Sequence, residues 1–119
     1  MEIETHINKD VLIVQVNGKR LDAQTAVGFK QELLNWIASF EQTKANEGKV
    51  PKIVLNFETV EFIDSSGIGA LVSVLKHVGR RGDLVLCQVN ETLMGAFRLT
   101  RMDRVFRIYS TEEEARNSL

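Results

Sequence analysis

Apolar and polar residues alternate from the start of the chain: Ile3, Thr5 and Ile7 share one parity, and after Asn8-Lys9-Asp10 comes Val11-Leu12-Ile13-Val14-Gln15-Val16. A period of two interrupted by turn residues predicts two strands folded into a hairpin. Asn17-Gly18 closes the second strand, and from Asp22 onward the period lengthens, with Ala26, Phe29, Leu33, Trp36 and Phe40 recurring at spacings of three and four. This is the stripe of an amphipathic helix, which sends Trp36 and Phe40 to the core and leaves Asp22 or Thr25 to cap the free N–H groups at its start.

Gln42 to Lys52 is polar and carries Gly48 and Pro51, so it predicts an exposed loop of more than average length. Ile53-Val54-Leu55-Asn56-Phe57 is then nearly continuous in apolar character, as expected of a strand in the middle of a sheet with both faces covered. Behind Asp64-Ser65-Ser66-Gly67, the positions Ile68, Leu71, Val72, Leu75 and Val78 trace a second helix that ends near Gly79 and Gly82. Leu84 to Cys87 reads as another buried strand, Glu91 to Leu99 as a short helix with Leu93, Ala96 and Phe97 inward, and Val105 to Tyr109 as an edge strand. Ser110-Thr111-Glu112-Glu113 combines a hydroxyl cap with acids, the signal for a last short helix holding Ala115 and Leu119 inward.

The order predicts an α/β fold: one domain over residues 1–119, with a mixed, mostly parallel sheet of about five strands, an N-terminal hairpin and about four helices. On such sheets binding sites gather at the loops after the carboxyl ends of strands, which is where Asp64 to Gly67 falls.

Composition narrows the chemistry. The 119 residues are 44% hydrophobic and 26% charged, with a net charge of -1, so no overall field recommends nucleic acid or an anionic membrane as partner. Cys87 is the single cysteine, which excludes an internal disulfide and a multi-cysteine metal site and fits a reducing compartment. The acidic start Met1-Glu2-Ile3-Glu4 and the lack of an apolar stretch near the ~20 residues that span a bilayer predict a soluble, cytoplasmic protein.

Asp64-Ser65-Ser66-Gly67-Ile68-Gly69 sets two hydroxyls and a carboxylate at a helix start, where N–H groups lack partners and the dipole offers partial positive charge. A phosphate ester on Ser65 would be accommodated there, whereas a second protein docked on that turn would meet a bulky, hydrated anion beside Asp64. Gly67 and Gly69 are expected to keep the first turn open to close approach. The plainer reading makes Ser65 or Ser66 a simple helix cap and the glycines packing residues.

The run Phe62-Ile63-Asp64-Ser65-Ser66-Gly67-Ile68-Gly69-Ala70-Leu71, preceded by the strand Ile53 to Phe57, closely resembles the signature of STAS-domain proteins, the bacterial anti-sigma factor antagonists. Gly18, Leu21-Asp22-Ala23 and Thr25-Ala26 are similar to that family's pattern before its first helix, and the order of elements matches over essentially the whole chain. The resemblance implies that Ser65 is phosphorylated by a partner that is both serine kinase and anti-sigma factor, and that a metal-dependent phosphatase reverses the modification. It further implies that the unphosphorylated protein binds the anti-sigma factor and the phosphorylated one lets go. Asp64, Ser65, Ser66, Gly67, Ile68 and Gly69 would form the docking surface, with Asp22 as a second contact point.

Other chemistries fit the residues less well. The order around Ser65 lacks the Gly-x-Ser-x-Gly elbow of hydrolases, His6 and His77 are far apart, and neither nucleotide-binding glycine fingerprint is present, so no enzymatic activity, cofactor or metal is expected. Asp64 lacks the acidic pair that a phosphoaspartate site needs. Arg98, Arg101, Arg104 and Arg107, with Lys76, Arg80 and Arg81, read as solvated cations near helix ends. The competing functional reading is a STAS module that senses a ligand or nucleotide, or serves a transporter, without a cognate kinase.

Overall fold

In the computed structural model, which describes residues 1–119 with the side chain of Arg80 excepted, the alternating N-terminal segment forms β1 (Glu2–Asn8) and β2 (Val11–Asn17). They pair antiparallel from Glu2 with Asn17 to Asn8 with Val11 across a two-residue turn. β4 (Lys52–Asn56), β6 (Asp83–Cys87) and β7 (Arg107–Tyr109) follow in parallel, and the five-stranded sheet has the order β1-β2-β4-β6-β7. The nearly continuous apolar run of β4 thus occupies the centre, as its sequence requires.

The helices are α1 (Ala26–Glu41), α2 (Ser65–Val78), α3 (Glu91–Leu99) and α4 (Glu112–Asn117). One face of the sheet, carrying Leu12, Val14, Ile53, Leu55, Leu84 and Leu86, packs with Phe29, Leu33, Leu71, Val74 and Phe97 of the first three helices. Each such side chain taken out of water contributes about 1.5–3 kcal/mol. The opposite face is a smaller cluster of Val11, Ile13, Val54, Val85 and Cys87, closed by Ala115 of α4 with Leu119 and Tyr109 at its margin.

Several expectations are corrected. Trp36 is not a core residue: it is 42% exposed, and the inward stripe of α1 runs Ala26, Phe29, Leu33, Ile37, Phe40. At about 100° per residue a helix that buries Leu33 and Ile37 rotates position 36 onto its flank. The helix begins at Ala26, and neither expected cap acts by side chain on its first turn; the Asp22 carbonyl instead accepts the N–H groups of Thr25 (3.1 Å) and Ala26 (2.8 Å). The 42–52 loop is mostly exposed, but Asn46 and Pro51 are buried and Lys52 already belongs to β4. The last strand is shorter than predicted because Met102–Arg104 forms a 3-10 turn, and Phe106 turns inward, edge-on to Phe97 with ring centroids 6.2 Å apart. Arg98 pairs with Glu91 and Arg107 with Asp83 at the exposed surface.

A second sheet was not foreseen. β3 (Arg20–Leu21) and β5 (Phe62–Ile63) pair in parallel, Arg20 beside Phe62 and Leu21 beside Ile63. This two-stranded ribbon joins the entrance of α1 to the entrance of α2.

Candidate functional site

The corner is assembled from backbone atoms first. The Lys19 carbonyl accepts from the N–H groups of Glu61 (2.8 Å) and Phe62 (3.0 Å), and the Leu21 carbonyl accepts from Asp64 N–H (3.3 Å). Thr59 adds a side-chain tie, its hydroxyl donating to the Val16 carbonyl at 2.9 Å and accepting from Gly18 N–H at 3.3 Å. The Gly18–Asp22 and Thr59–Asp64 segments, some forty residues apart in sequence, are thereby laid side by side.

Asp64 closes the arrangement. Its Oδ1 accepts from Gly67 N–H at 3.0 Å, capping α2, and its Oδ2 accepts from Ala23 N–H at 3.3 Å, holding the loop before α1. One carboxylate therefore satisfies a helix start and a neighbouring loop together. The cap is Asp64, not Ser65 or Ser66, so the plainer reading of the serines is corrected. Both serines are exposed, and among the described residues neither their hydroxyls nor their N–H groups have a hydrogen-bonding partner. The first turn of α2 contains no acidic residue.

The two glycines differ. Gly67 is buried, and a Cβ there would collide with the Leu21 carbonyl oxygen and lie 2.8 Å from Ile63 Cγ1, so this glycine serves the packing of α2 on β3 and not the approach of a partner. Of the two roles expected of Gly67, packing and openness to a partner, the geometry bears out packing. Gly69 is exposed with open space at its Cβ position, and with Ser66, Ala70 and Ser73 it lines a shallow groove of about 240 Å³ between α2 and the Ala23, Val27 and Lys30 side of α1. Ile68 is half-buried against the core.

Asp22 stands beside this groove on the α1 side. Its carboxylate accepts from Gln24 N–H at 3.1 Å and pairs with the Arg20 guanidinium at 3.2 Å. Partial desolvation pushes the Asp22 carboxyl up, but the Arg20 hydrogen bond and the backbone N–H groups of the turn outweigh it and hold the group below its ordinary value. Arg20 also lies over the Phe62 ring at 4.1 Å, a cation–π contact that the ribbon creates by setting the two residues side by side. Arg20, Val27 and Lys30 escaped the sequence reading, and Phe62 entered it only as the first residue of the signature run. No local signal pointed to the Arg20–Phe62 contact, because each belongs to a strand of two residues; Val27, 67% exposed inside an amphipathic helix, was visible as an apolar residue off the stripe.

Cys87 is buried, and burial foremost, then the charges of Glu112 and Glu58, push its thiol up to about 12, so it is no nucleophile at neutral pH. Among the described residues no cluster of His, Cys, Asp and Glu is arranged to hold a metal ion. Among the described residues no helix is long and apolar enough to cross a membrane.

The corner belongs to an α/β module with a mixed five-stranded sheet, in which an exposed serine directly follows the aspartate that caps a helix, so its candidate chemistry is displayed and not enclosed. The chain belongs to the STAS domain family, whose model matches residues 2–115. It is 36% identical over 110 residues to a Thermotoga neapolitana protein provisionally described as an anti-sigma factor antagonist, covering 92% of this chain and 89% of the relative. The anti-sigma F factor antagonist of Paenibacillus polymyxa is 25% identical over 120 residues, covering 100% of this chain and 95% of that protein. Among solved structures, the crystal structure of a Thermotoga maritima protein with the same provisional description superposes with a TM-score of 0.80 at 30% identity, over 98% of this chain and 92% of that one. The predicted fold class is therefore the observed one: a mixed five-stranded sheet, an N-terminal hairpin and four helices.

Proposed function

We propose that this chain is an anti-sigma factor antagonist, a non-enzymatic protein-interaction module whose partner is an anti-sigma factor with serine-kinase activity. The unphosphorylated protein binds that partner; phosphorylation of Ser65 releases it, and a metal-dependent serine phosphatase restores binding. Asp22, Asp64, Ser65, Ser66 and Gly69 bound the docking surface, with Val27 and Lys30 across the groove and Gly67 and Ile68 holding the turn from beneath.

The observation that carries this reading is the division of labour at the start of α2. Because Asp64 caps the helix, the Ser65 hydroxyl is free to be modified without loss of the cap. A phosphate there adds roughly -1.5 to -2 charges and finds the unpartnered N–H groups of the first turn, so the modified helix stays folded. The same charge beside Asp64 and Asp22 makes desolvation by a docked protein unfavourable. A hundredfold loss of affinity requires only about 2.7 kcal/mol, within reach of one interfacial charge.

The test is calorimetry of the wild type, Ser65→Ala and Ser65→Asp against the cognate kinase, with intact mass after incubation with ATP. Wild type and Ser65→Ala should bind alike, Ser65→Asp should bind at least tenfold more weakly, and one phosphate should appear on the wild type and on Ser66→Ala but not on Ser65→Ala. Equal affinity of all three proteins, or phosphate that persists in Ser65→Ala, would remove the proposal.

A further inference from the structure

The open edge of the main sheet carries a pattern that the Ser65 corner does not use. β1 is the outermost strand, seven residues long, whereas the opposite edge strand β7 has three. Long exposed edges are ordinarily blunted by charged side chains, proline or a bulge. β1 has no proline and pairs with β2 without interruption, and its only charged residues are Glu2 and Glu4.

The register determines which groups point outward. The two-residue turn Lys9-Asp10 makes Asn8 and Val11 the closing hydrogen-bonded pair of the hairpin. Alternation then commits the backbone groups of Asn8, His6, Glu4 and Glu2 to β2 and directs those of Ile3, Thr5 and Ile7 to the open edge.

We infer that the occupant of this edge is a second copy of the same chain, its β1 added antiparallel about a two-fold axis through Thr5. In that register Thr5 meets the partner's Thr5, and Ile3 meets the partner's Ile7. All three outward residues then lie in hydrogen-bonded pairs, each exchanging two N–H···O bonds. Glu4 falls opposite the partner's His6 in the closer, non-hydrogen-bonded kind of pair, carboxylate against imidazole, and Glu2 falls opposite the partner's Asn8.

Neighbouring registers are worse. Centring on Ile3 sets Glu2 against the partner's Glu4, and centring on Ile7 sets Glu4 against the partner's Asp10; both oppose like charges. The helix side of the edge also fits. Ile7 is 43% exposed and Trp36 42%, and with Thr5 and Phe40 they line an apolar hollow of about 90 Å³ that the added strand's Ile3, set opposite Ile7, would border and extend. This accounts for Trp36, one of the large apolar residues that the fold itself leaves partly in water. The residues of the Ser65 corner do not belong to β1, so the dimer presents two such corners.

Sedimentation equilibrium of the full chain tests the inference. The wild type should have twice the chain mass at sub-millimolar concentration. Thr5→Pro removes an outward N–H and no bond to β2, so it should give a folded monomer with unchanged far-UV circular dichroism. His6→Glu should weaken association about tenfold, since it opposes like charges twice across the axis, and adding Glu4→Lys should restore it. Thr5→Cys should form a disulfide-linked dimer on mild oxidation, because hydrogen-bonded antiparallel pairs hold their Cα atoms about 5.5 Å apart, within disulfide reach. A wild-type monomer, or a dimer indifferent to both the charge variants and Thr5→Cys oxidation, would overturn it.

Discussion

The starts of α2 and α3 are built alike and finished differently. Each follows a β-strand corner, and each is capped by a short side chain that uses a second polar atom on a distant loop. Asp64 accepts from Gly67 N–H and from Ala23 N–H; Asn90 accepts from Leu93 N–H and donates through Nδ2 to the Val60 carbonyl at 3.1 Å. At α3 the next residue is Glu91, a permanent negative charge in the first turn, and α4 likewise begins with three glutamates. At α2 the next residues are two exposed serines and no acid. α3 and α4 thus meet the dipole with their own carboxylates, whereas α1 and α2 have no acid in the first turn, and at α2 the proposed phosphate on Ser65 would supply that charge.

The sharpest way to break the comparison is through the glycines. Gly67→Ala forces a methyl group into the Leu21 carbonyl, and because the obstacle is backbone the two elements must separate. A loss of about 3 kcal/mol is expected in urea unfolding. Gly95, on the exposed side of α3, has nothing within 4 Å of its Cβ position, so Gly95→Ala should stabilise by about 0.5–1 kcal/mol. Similar effects from the two would mean that α2 does not sit on β3 as described.

Exchanging the caps comes next in size. Asp64→Asn keeps the oxygen that accepts from Gly67 but loses the acceptor for Ala23 N–H, and Asn90→Asp loses the donor to the Val60 carbonyl. Each should cost about 1 kcal/mol with its helix intact, whereas Asp64→Ala removes cap and clamp together and should cost about 2 kcal/mol. Indifference to Asp64→Asn would reduce Asp64 to an ordinary cap and remove the reason that the serines are spared.

How much of this was legible in the sequence follows from how local each cause is. The hairpin, the central strand and the four helices rest on periodicity within single segments, and Phe29, Leu33, Leu71 and Phe97 lie in the core as their spacing requires. Asp64-Ser65-Ser66 contains three good capping residues in a row, and local propensity cannot choose among them. The choice falls to Asp64 because its second oxygen finds Ala23 N–H, a contact 41 residues away in sequence. The β3–β5 ribbon was invisible for the same reason: two-residue strands have no period, and theirs are defined by the carbonyls of Lys19 and Leu21. Trp36 was misplaced by one helical position, since both 36 and 37 continue an apolar stripe and only packing against the sheet decides between them.

Charge at the two helix starts should give a smaller, opposite pair of effects. Ser65→Asp supplies α2 with the negative charge it lacks and should raise stability by about 0.5 kcal/mol, while Glu91→Gln should lower it by a similar amount. Both changes should shrink in high salt, because these are surface interactions screened within about 10 Å. If Ser65→Asp destabilised the fold, the helix start could not receive a phosphate without damage, and weaker partner binding would then report unfolding and not switching.

The smallest effect is expected from acid, and it separates the corners by kind. Asn90 does not titrate, whereas Asp22 beside α2 is held below its ordinary value of 3.8 by Arg20 and the turn N–H groups, which prevail over its partial desolvation. A carboxyl whose folded value is depressed contributes stability above the unfolded value and loses it as pH falls through the folded one. The difference in unfolding stability between wild type and Asp22→Asn should therefore be constant at neutral pH and vanish progressively below about pH 4. The difference between wild type and Asn90→Ala should stay level over that range. Because Asp22 is partly open to water the acid-dependent term is screened and small, so it is best read as the change in the gap between the two curves. A gap that widened toward low pH would mean that the Asp22 carboxylate is a burden in the folded protein and not a brace for the loop that Asp64 holds.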